Sequence, residues 1–292
     1  YVSLTHTTNE MIARVARKYG LGVVYTWVGF VMLGSAARYV WDNKTVPPIE
    51  EGRLNKNDPK CHPFLYKATG MDTGKCVFNV AAAEQSAGMS VFGGVPKSER
   101  DLGEGGHVRD KDGTFASLLL TELAAYAKDK GLNLLEIMNQ MYLDPAIGMF
   151  VNYYEPDPMD GAYPGLKGDT HKKEVLMAAI KMHEDVQAGK EVTLGGFRVK
   201  SSVAFWTGKY DKANWEGFPD EGLRFYFDDE KLSSFILRPS GTANAIRLHV
   251  LLQEKGELNE ENVNEKHAAL LKKAKEVVDD VRQKIGASRD YV

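Results

Sequence analysis

The sequence predicts an α/β protein. We expect a layered α/β/α domain over residues 1–160 and a smaller α+β domain over residues 169–292, whose mostly antiparallel sheet is flanked by helices. Strand-like and helix-like segments alternate through the first part of the chain, whereas several short strands follow one another after Gly189. Between the two parts, residues 151–168 contain three prolines and three glycines with little periodicity, so we expect a linker there.

The first 45 residues predict a strand, a helix, a second strand and a second helix. Thr7 and Glu10 have the spacing of a capping box at the start of the first helix, and Gly20 is a typical helix end. GVVYTWVGF, residues 22–30, is rich in β-branched and aromatic side chains and predicts the second strand and its exit.

The remainder of the first domain continues this alternation. Residues 43–75 are charged, Pro-rich and aperiodic, which indicates a surface insertion, and KCVFNVAAA (75–83) predicts a buried strand. A glycine-rich loop follows over residues 84–109. Asp112 then has the position of an N-cap for a helix that Gly131 ends.

The second domain begins with a helix that we expect Asp169 to cap and that runs to about Ala188. Four strand-like segments follow: FRVKSSVAFW, LRFYFDD, SSFILR and AIRLHVLLQ. A long amphipathic helix closes the chain, with an apolar stripe formed by Leu270, Leu271, Ala274, Val277, Val278 and Val281. Helix, consecutive strands and helix are typical of an α+β domain.

Composition excludes several classes of partner. The net charge of −3 argues against nucleic acid or an anionic membrane surface, because both favour a basic face. No apolar run approaches the roughly 20 residues of a membrane helix. Two cysteines, Cys61 and Cys76, are too few for a disulfide framework, and no signal peptide is visible, so we expect a cytoplasmic protein. The chain begins YVSLTHTT without a methionine, so we expect a piece of something longer.

The segment ILRPSGTANAIRLHV, residues 236–250, is the strongest candidate for a binding site. Arg238 and Arg247 flank a turn made by Ser240, Gly241 and Thr242. Guanidinium groups match phosphate oxygens in a bidentate way, and successive N–H groups of a glycine turn can form an anion nest. These features predict a phosphate site. The alternative is an ordinary hairpin turn with solvated arginines, because serine, glycine and threonine are common turn residues.

These residues resemble the phosphate-binding loop in the last domain of the α-D-phosphohexomutases, the phosphoglucomutases and phosphomannomutases. RPSGT is followed by Ile246-Arg247-Leu248, as in that loop. TWVGF (26–30) is similar to the strand exit of the family's third domain, and AEQSAG (83–88) to its sugar-binding Gly-Glu-x-Ser-Gly loop. RDKDGTFASLLLTELAAYAKDKG resembles the segment that follows that loop. The resemblance covers nearly the whole chain, in the family's order.

The resemblance implies a fold and an activity. The chain would be the third domain without its beginning, followed by a fourth domain like the TATA-box-binding protein. The whole protein would be an isomerase that moves phosphate between C1 and C6 of a hexose through a bisphosphate, using a phosphoserine and Mg²⁺. The phosphate ligands implied are Arg238, Ser240, Gly241, Thr242 and Arg247, and the sugar ligands implied are Glu84 and Ser86.

The chain also departs from the family. Val31 replaces the lysine of the usual Gly-Phe-Lys, Ala83 and Ala87 replace glycines, and residues 243–245 (ANA) replace Glu-Pro-Lys. Neither the phosphoserine loop nor the Asp-rich metal loop occurs in the 292 residues, so we expect the chain alone to be inactive and its missing N-terminal half to be a partner. The alternative is a non-catalytic phosphosugar-binding or interaction protein of the same fold.

Other polar residues suggest weaker interpretations. Glu155, Asp157 and Asp160 could suggest a metal site, but we expect them to be solvated, since hard cations need several converging oxygens. His249 lies on the face of Arg247, and a packed strand histidine is the favoured interpretation. His107 is a weak candidate for a general acid or base.

Overall fold

The computed structural model describes residues 1–43, 65–70, 77–85, 88–159, 161–205, 218–241 and 243–287. They form two compact units. The first comprises the described residues up to Met149 together with Gly256–Asn264. The second comprises Phe150–Lys255 and the described residues from Glu265 onward.

The first unit is built on a five-stranded sheet of order β3-β2-β1-β4-β5. Its strands are β1 (Val2–Thr5), β2 (Val23–Thr26), β3 (Leu65–Thr69), β4 (Ala81–Glu84) and β5 (Gly88–Ser90). Its helices are α1 (Glu10–Lys18), α2 (Phe30–Asn43), α3 (Gly113–Asp129) and α4 (Leu134–Leu143). The three central strands are parallel, and β3 and β5 add antiparallel edges.

Helices cover both faces of this sheet at β2. Val24 packs in a cluster with Ala36 and Val40 of α2. The neighbouring Tyr25 points the other way, where its hydroxyl donates to Glu10 of α1 at 2.7 Å. Because alternate residues of a strand face opposite sides, α1 and α2 lie on opposite faces. The layered α/β architecture predicted from the sequence is confirmed.

Two details of the first unit differ from prediction. Asn9, rather than a Thr7–Glu10 box, caps α1, its side chain accepting from Met11 N–H at 3.0 Å. Residues 65–69, predicted as part of an insertion, form β3, because the edge of β2 offers backbone partners. Most of the predicted insertion, including Cys61, lies outside the described residues, as does Cys76. Asp112 caps α3 as predicted, accepting from Phe115 N–H at 2.9 Å.

The second unit contains an antiparallel five-stranded sheet of order β6-β12-β11-β10-β9. Its strands are β6 (Phe150–Asp157), β9 (Ser201–Phe205), β10 (Gly222–Tyr226), β11 (Ser234–Pro239) and β12 (Ile246–Gln253), and a small hairpin joins β7 (Thr193–Leu194) to β8 (Phe197–Arg198). Its helices are α5 (Gly165–Gln187) and α6 (Val263–Ile285). The predicted mostly antiparallel sheet with helices is confirmed.

The predicted linker is wrong in its first half. Phe150–Asp157 form β6, which pairs with β12 along its length. Proline is typical of irregular chain, but β6 is an edge strand, where the missing N–H of Pro156 costs little. The helix α5 begins at Gly165 after Pro164 and not at Asp169, which lies inside it.

The closing helix α6 buries the apolar stripe predicted for it. Leu270, Ala274, Val277, Val278 and Val281 are buried, and Leu271 is half-buried. None of the helices in the described ranges combines the length and apolar character needed to cross a bilayer.

Glu155 and Asp157 are buried and paired, so the expectation that they are solvated is wrong. They alternate on β6 and therefore share one face of the sheet. Arg282 of α6 donates to Asp157 and, at 3.2 Å, to Glu155, and it also donates to Pro156 carbonyl at 2.7 Å. Charge pairing therefore fixes α6 against β6. Asp160 lies outside the described residues.

Removing Arg282 should destabilise the second unit strongly, because two buried carboxylates would lose their counter-charge. We expect Arg282→Met to lower the free energy of unfolding by about 3–5 kcal/mol. Lys284→Met is the matched control on the same helix, because Lys284 pairs with Asp280 at the surface and should cost about 0.5 kcal/mol or less. Urea unfolding followed by circular dichroism measures both, and equal midpoints would contradict the assignment.

Candidate functional site

Glu84 lies at the carboxyl end of β4, the edge of a parallel sheet where ligands commonly bind. Its side chain is only 4% exposed. Oε2 accepts from Gly29 N–H at 3.0 Å, and Oε1 lies 3.0 Å from Nζ of Lys111. Gly29 comes from the exit of β2, where its φ of +115° suits glycine. Two separate turns therefore hold the carboxylate in place.

Lys111 was not predicted as a site residue from the sequence. Its ammonium lies 4.9 Å from the ring centroid of Phe30, so Glu84 and a cation–π contact both hold it in place. The side chain remains partly exposed. The available signal was its position directly before the N-cap Asp112, since side chains at a helix start often face a ligand.

Glu84 and Lys111 open onto a cavity of about 310 Å³. Its other lining residues are Gly88, Met89, Asp112, Gly113 and Ala116. Gly88 fits only as glycine, because a Cβ there would lie 2.5 Å from Cε2 of Phe30 and 2.8 Å from Cγ of Lys111. This volume is at the lower limit of small-molecule pockets. Ser86, the other predicted sugar ligand, lies outside the described residues.

His107 packs beside this loop instead of facing the cavity. Its ring stacks on Phe115 with centroids 4.0 Å apart, and Nδ1 lies 3.6 Å from Asp112. It is not one of the residues that line the cavity.

In the second unit, Arg238 and Arg247 are direct cross-strand partners at the end of the β11–β12 hairpin. Opposed residues of an antiparallel pair project to the same face, so both guanidinium groups lie on one side of the sheet. Leu237 and Leu248, the neighbouring pair, are buried on the other side. Two like charges in this position repel each other, and the site must compensate them.

Arg238 is 12% exposed, and its Nε lies 3.7 Å from Oε2 of the buried Glu221. That Nε is buried and finds no hydrogen-bond partner in the described part of the chain. Gly222 lets β10 approach β11 closely beside Arg238. With φ +94°, a Cβ on it would lie 2.1 Å from Leu237 carbonyl oxygen and 2.7 Å from Cβ of Arg238.

Arg247 is held by Tyr154 of β6. Its Nη1 donates to the Tyr154 hydroxyl, and Cζ lies 5.8 Å from the ring centroid. The same tyrosine packs against His249 with ring centroids 5.0 Å apart. His249 is therefore a packed strand residue, as the sequence favoured.

Several polar groups of the turn between the two arginines form hydrogen bonds within the loop itself. Ser240 N–H donates to Ala245 carbonyl at 2.8 Å, and the Ser240 hydroxyl accepts from Ala243 N–H at 3.3 Å. These N–H groups fold the loop and do not contribute to the anion nest predicted for it. Gly241 is exposed, and Thr242 lies outside the described residues.

Asn244 fastens this loop to the start of α5, a role that the sequence did not reveal. Its Nδ2 donates to Tyr163 carbonyl at 2.9 Å and to Asp169 at 2.6 Å, and its Oδ1 accepts from Lys172 Nζ at 2.9 Å. Lys172 is 3% exposed, and burial lowers the pKa of its ammonium. The visible signal was only an asparagine where the resembled loop has proline.

The described residues do not fit a Mg²⁺ site. Within them, no three histidine, cysteine, aspartate or glutamate side chains come together. Glu155 and Asp157, which share one face of β6, are both paired with Arg282.

No protein-family model matches this sequence, and a search of curated proteins found no match. Among solved structures, the chain is similar to the exocytosis-sensitive phosphoprotein parafusin, a phosphoglucomutase from Paramecium, in an open form. The TM-score is 0.52 at 17% sequence identity, and the match covers 100% of this chain and 39% of parafusin. The chain therefore has a phosphoglucomutase-like fold and spans well under half the length of that protein.

Truncating Asn244 should loosen the loop between the two arginines. Asn244→Ala removes three side-chain hydrogen bonds and leaves Lys172 buried without this partner, so we expect a loss of about 1–3 kcal/mol. Hydrogen exchange at the Ser240 and Ala245 amides should accelerate. Asn43→Ala is the control, because among the described residues that exposed side chain donates to Tyr39 carbonyl of its own helix. Unchanged exchange in the loop would show that Asn244 does not anchor it.

Proposed function

We propose that this chain supplies sugar and phosphate binding to a phosphohexomutase of the phosphoglucomutase or phosphomannomutase type. The observation that carries the proposal is the register that sets Arg238 opposite Arg247 beside the Ser-Gly turn. Two guanidinium groups facing each other favour a bound dianion, since the anion replaces repulsion with two charge-assisted contacts. The phosphoglucomutase-like fold supports the same proposal.

The phosphate would be held in the second unit. Arg247, held by the Tyr154 hydroxyl, would donate to the phosphate through its guanidinium N–H groups. Arg238 would donate through the N–H groups that do not contact Glu221. Ser240, Gly241 and Thr242 would complete the anchor from the turn. Glu221 lies beside Arg238 and can offset at most one of the two positive charges, so the arginine pair would still attract an anion.

Sugar hydroxyl groups would be held in the first unit by Glu84, Lys111 and Ser86. A carboxylate accepts about four hydrogen bonds, so Glu84 can keep Gly29 and Lys111 and still accept from a hydroxyl. Lys111 presents ammonium hydrogens to the same cavity and can donate to a sugar oxygen. Carboxylate and ammonium side by side match a hydroxyl, which both donates and accepts.

In the whole enzyme, phosphate would move between C1 and C6 of the hexose through a bisphosphate. The residues described here would bind and orient the substrate in each half-reaction. The phosphoserine would belong to another part of the parent enzyme, as would the loop for Mg²⁺.

The second candidate is a non-catalytic phosphosugar-binding protein. It is favoured by Val31, whose side chain is 73% exposed directly after the Gly29 turn, where the resembled enzymes carry lysine. An exposed apolar group there offers neither charge nor a proton to a substrate. The parent sequence decides between the candidates, because the enzyme needs both a nucleophile loop and an Asp-rich metal loop.

Neutralising Arg247 should weaken phosphosugar binding. We expect Arg247→Gln to raise the Kd for glucose 1-phosphate and mannose 1-phosphate by about 10- to 100-fold, because a charge-assisted contact is worth about 1.5–3 kcal/mol. The Kd of Arg247→Lys should lie between those of the unchanged protein and Arg247→Gln. Lysine keeps the positive charge but loses the bidentate geometry of the guanidinium group. Titration followed by phosphorus NMR measures this, with the exposed Arg198→Gln as the control. Equal affinity in Arg247→Gln and the control would remove Arg247 from the site.

Neutralising Glu84 should weaken recognition of the sugar and leave the phosphate contact intact. We expect Glu84→Gln to bind glucose 1-phosphate about tenfold more weakly and inorganic phosphate as before, because only hydroxyl recognition is lost. Glu99→Gln, an exposed position in the same unit, is the control. A parallel loss for inorganic phosphate would place Glu84 at the phosphate instead.

A further inference from the structure

A second and larger cavity, of about 460 Å³, lies along α2. It is lined by Phe30, Val31, Gly34, Ser35, Arg38, Tyr39, Asp42, Asn43 and Arg109. It shares no lining residue with the cavity at Glu84, and the Phe30 ring lies between them, since its edge packs against Gly88 of the smaller cavity. No motif in the sequence indicates this cavity.

Arg109 is fixed in the wall of this cavity. Its Nη2 donates to Asp101 carbonyl at 2.7 Å, and its Cζ lies 5.3 Å from the ring centroid of Trp41. Trp41 is itself buried and donates to Val77 carbonyl at 2.9 Å. Neither of these two contacts supplies an anion, although the Asp101 carboxylate interacts electrostatically with the guanidinium group. Its Nε is buried with no hydrogen-bond partner among the residues described.

Arg38 adds a second cation from the exposed side of α2. Across the described ranges, neither Arg38 nor Arg109 forms an ion pair with a carboxylate, although Asp42 lines the same cavity. Gly34 lies one helical turn before Arg38, and apart from the backbone of α2 no atom of the described residues lies within 4 Å of where its Cβ would be. The cavity therefore combines open volume with two guanidinium groups that form no carboxylate ion pair among the described residues.

We propose that this cavity binds the phosphate monoester of a small hydroxylated metabolite. Arg38 and Arg109 supply charge-assisted donors for the phosphate. Asp42, Asn43 and Ser35 supply acceptors for hydroxyl groups at the rim. The volume exceeds what a phosphate alone fills and lies within the usual range for small-molecule sites. The proposal does not depend on the function assigned to the Arg238 loop.

Arginine modification by phenylglyoxal tests this proposal site by site. The intact 292-residue chain is treated with the reagent, with glucose 6-phosphate, inorganic phosphate or glucose present, and each arginine is followed by peptide mass spectrometry. At about ten times the Kd, roughly nine in ten sites are filled, so modification of Arg38 should slow about tenfold with glucose 6-phosphate. Glucose should give no protection, and the exposed Arg198 should react at one rate throughout.

Arg38→Gln supplies the second measurement, because the exposed side chain can be replaced without disturbing the fold. In this variant, protection of Arg109 by glucose 6-phosphate should need about tenfold more ligand. Protection of Arg247 should be unchanged, which separates this site from the proposed phosphate anchor.

Three results would overturn the proposal. Arg38 could react at the same rate with and without glucose 6-phosphate. Arg198 could be protected as strongly as Arg38, which would indicate general ionic shielding. Inorganic phosphate could protect as well as the monoester at the same concentration, which would show that the cavity does not recognise the organic part.

Discussion

The register of β11 against β12 is the constraint on which the candidate phosphate site depends. Leu237 faces Leu248 on the buried side, and the next pair, Arg238 and Arg247, is thereby placed together on the opposite side. A slip of one residue would move an arginine into the core and a leucine out of it. Burial of the leucines thus determines where the charges lie, although the leucines touch no ligand.

The charges placed in this way have to be accommodated in the free protein. Glu221 lies beside Arg238, Tyr154 supports Arg247, and Asn244 ties the connecting loop to α5. Each contact holds a polar group in position without neutralising the pair completely. The result is a preorganised cation pair, which would lower the ordering cost of an anion bound as proposed above.

In the first unit, the charged group that has to be held in place is a buried carboxylate. Glu84 is held by Gly29 and Lys111, which come from different connections of the parallel sheet. Because parallel strands bring their carboxyl ends to one edge, residues distant in sequence converge there. The same edge carries Phe30, which separates the Glu84 cavity from the larger cavity lined by Arg109.

The sequence by itself determined the class of fold, most element positions, the apolar face of α6 and the alternation that sets Arg247 opposite the core, because these depend on local propensity and periodicity. It also identified Glu84 and the Arg238–Arg247 segment as candidates. Only the tertiary structure decided that residues 150–157 join the second sheet and that Glu155 and Asp157 are buried against Arg282. The tertiary structure alone also decided which residues Lys111, Asn244 and Arg109 contact, since contacts between distant residues leave no periodic signal in the chain.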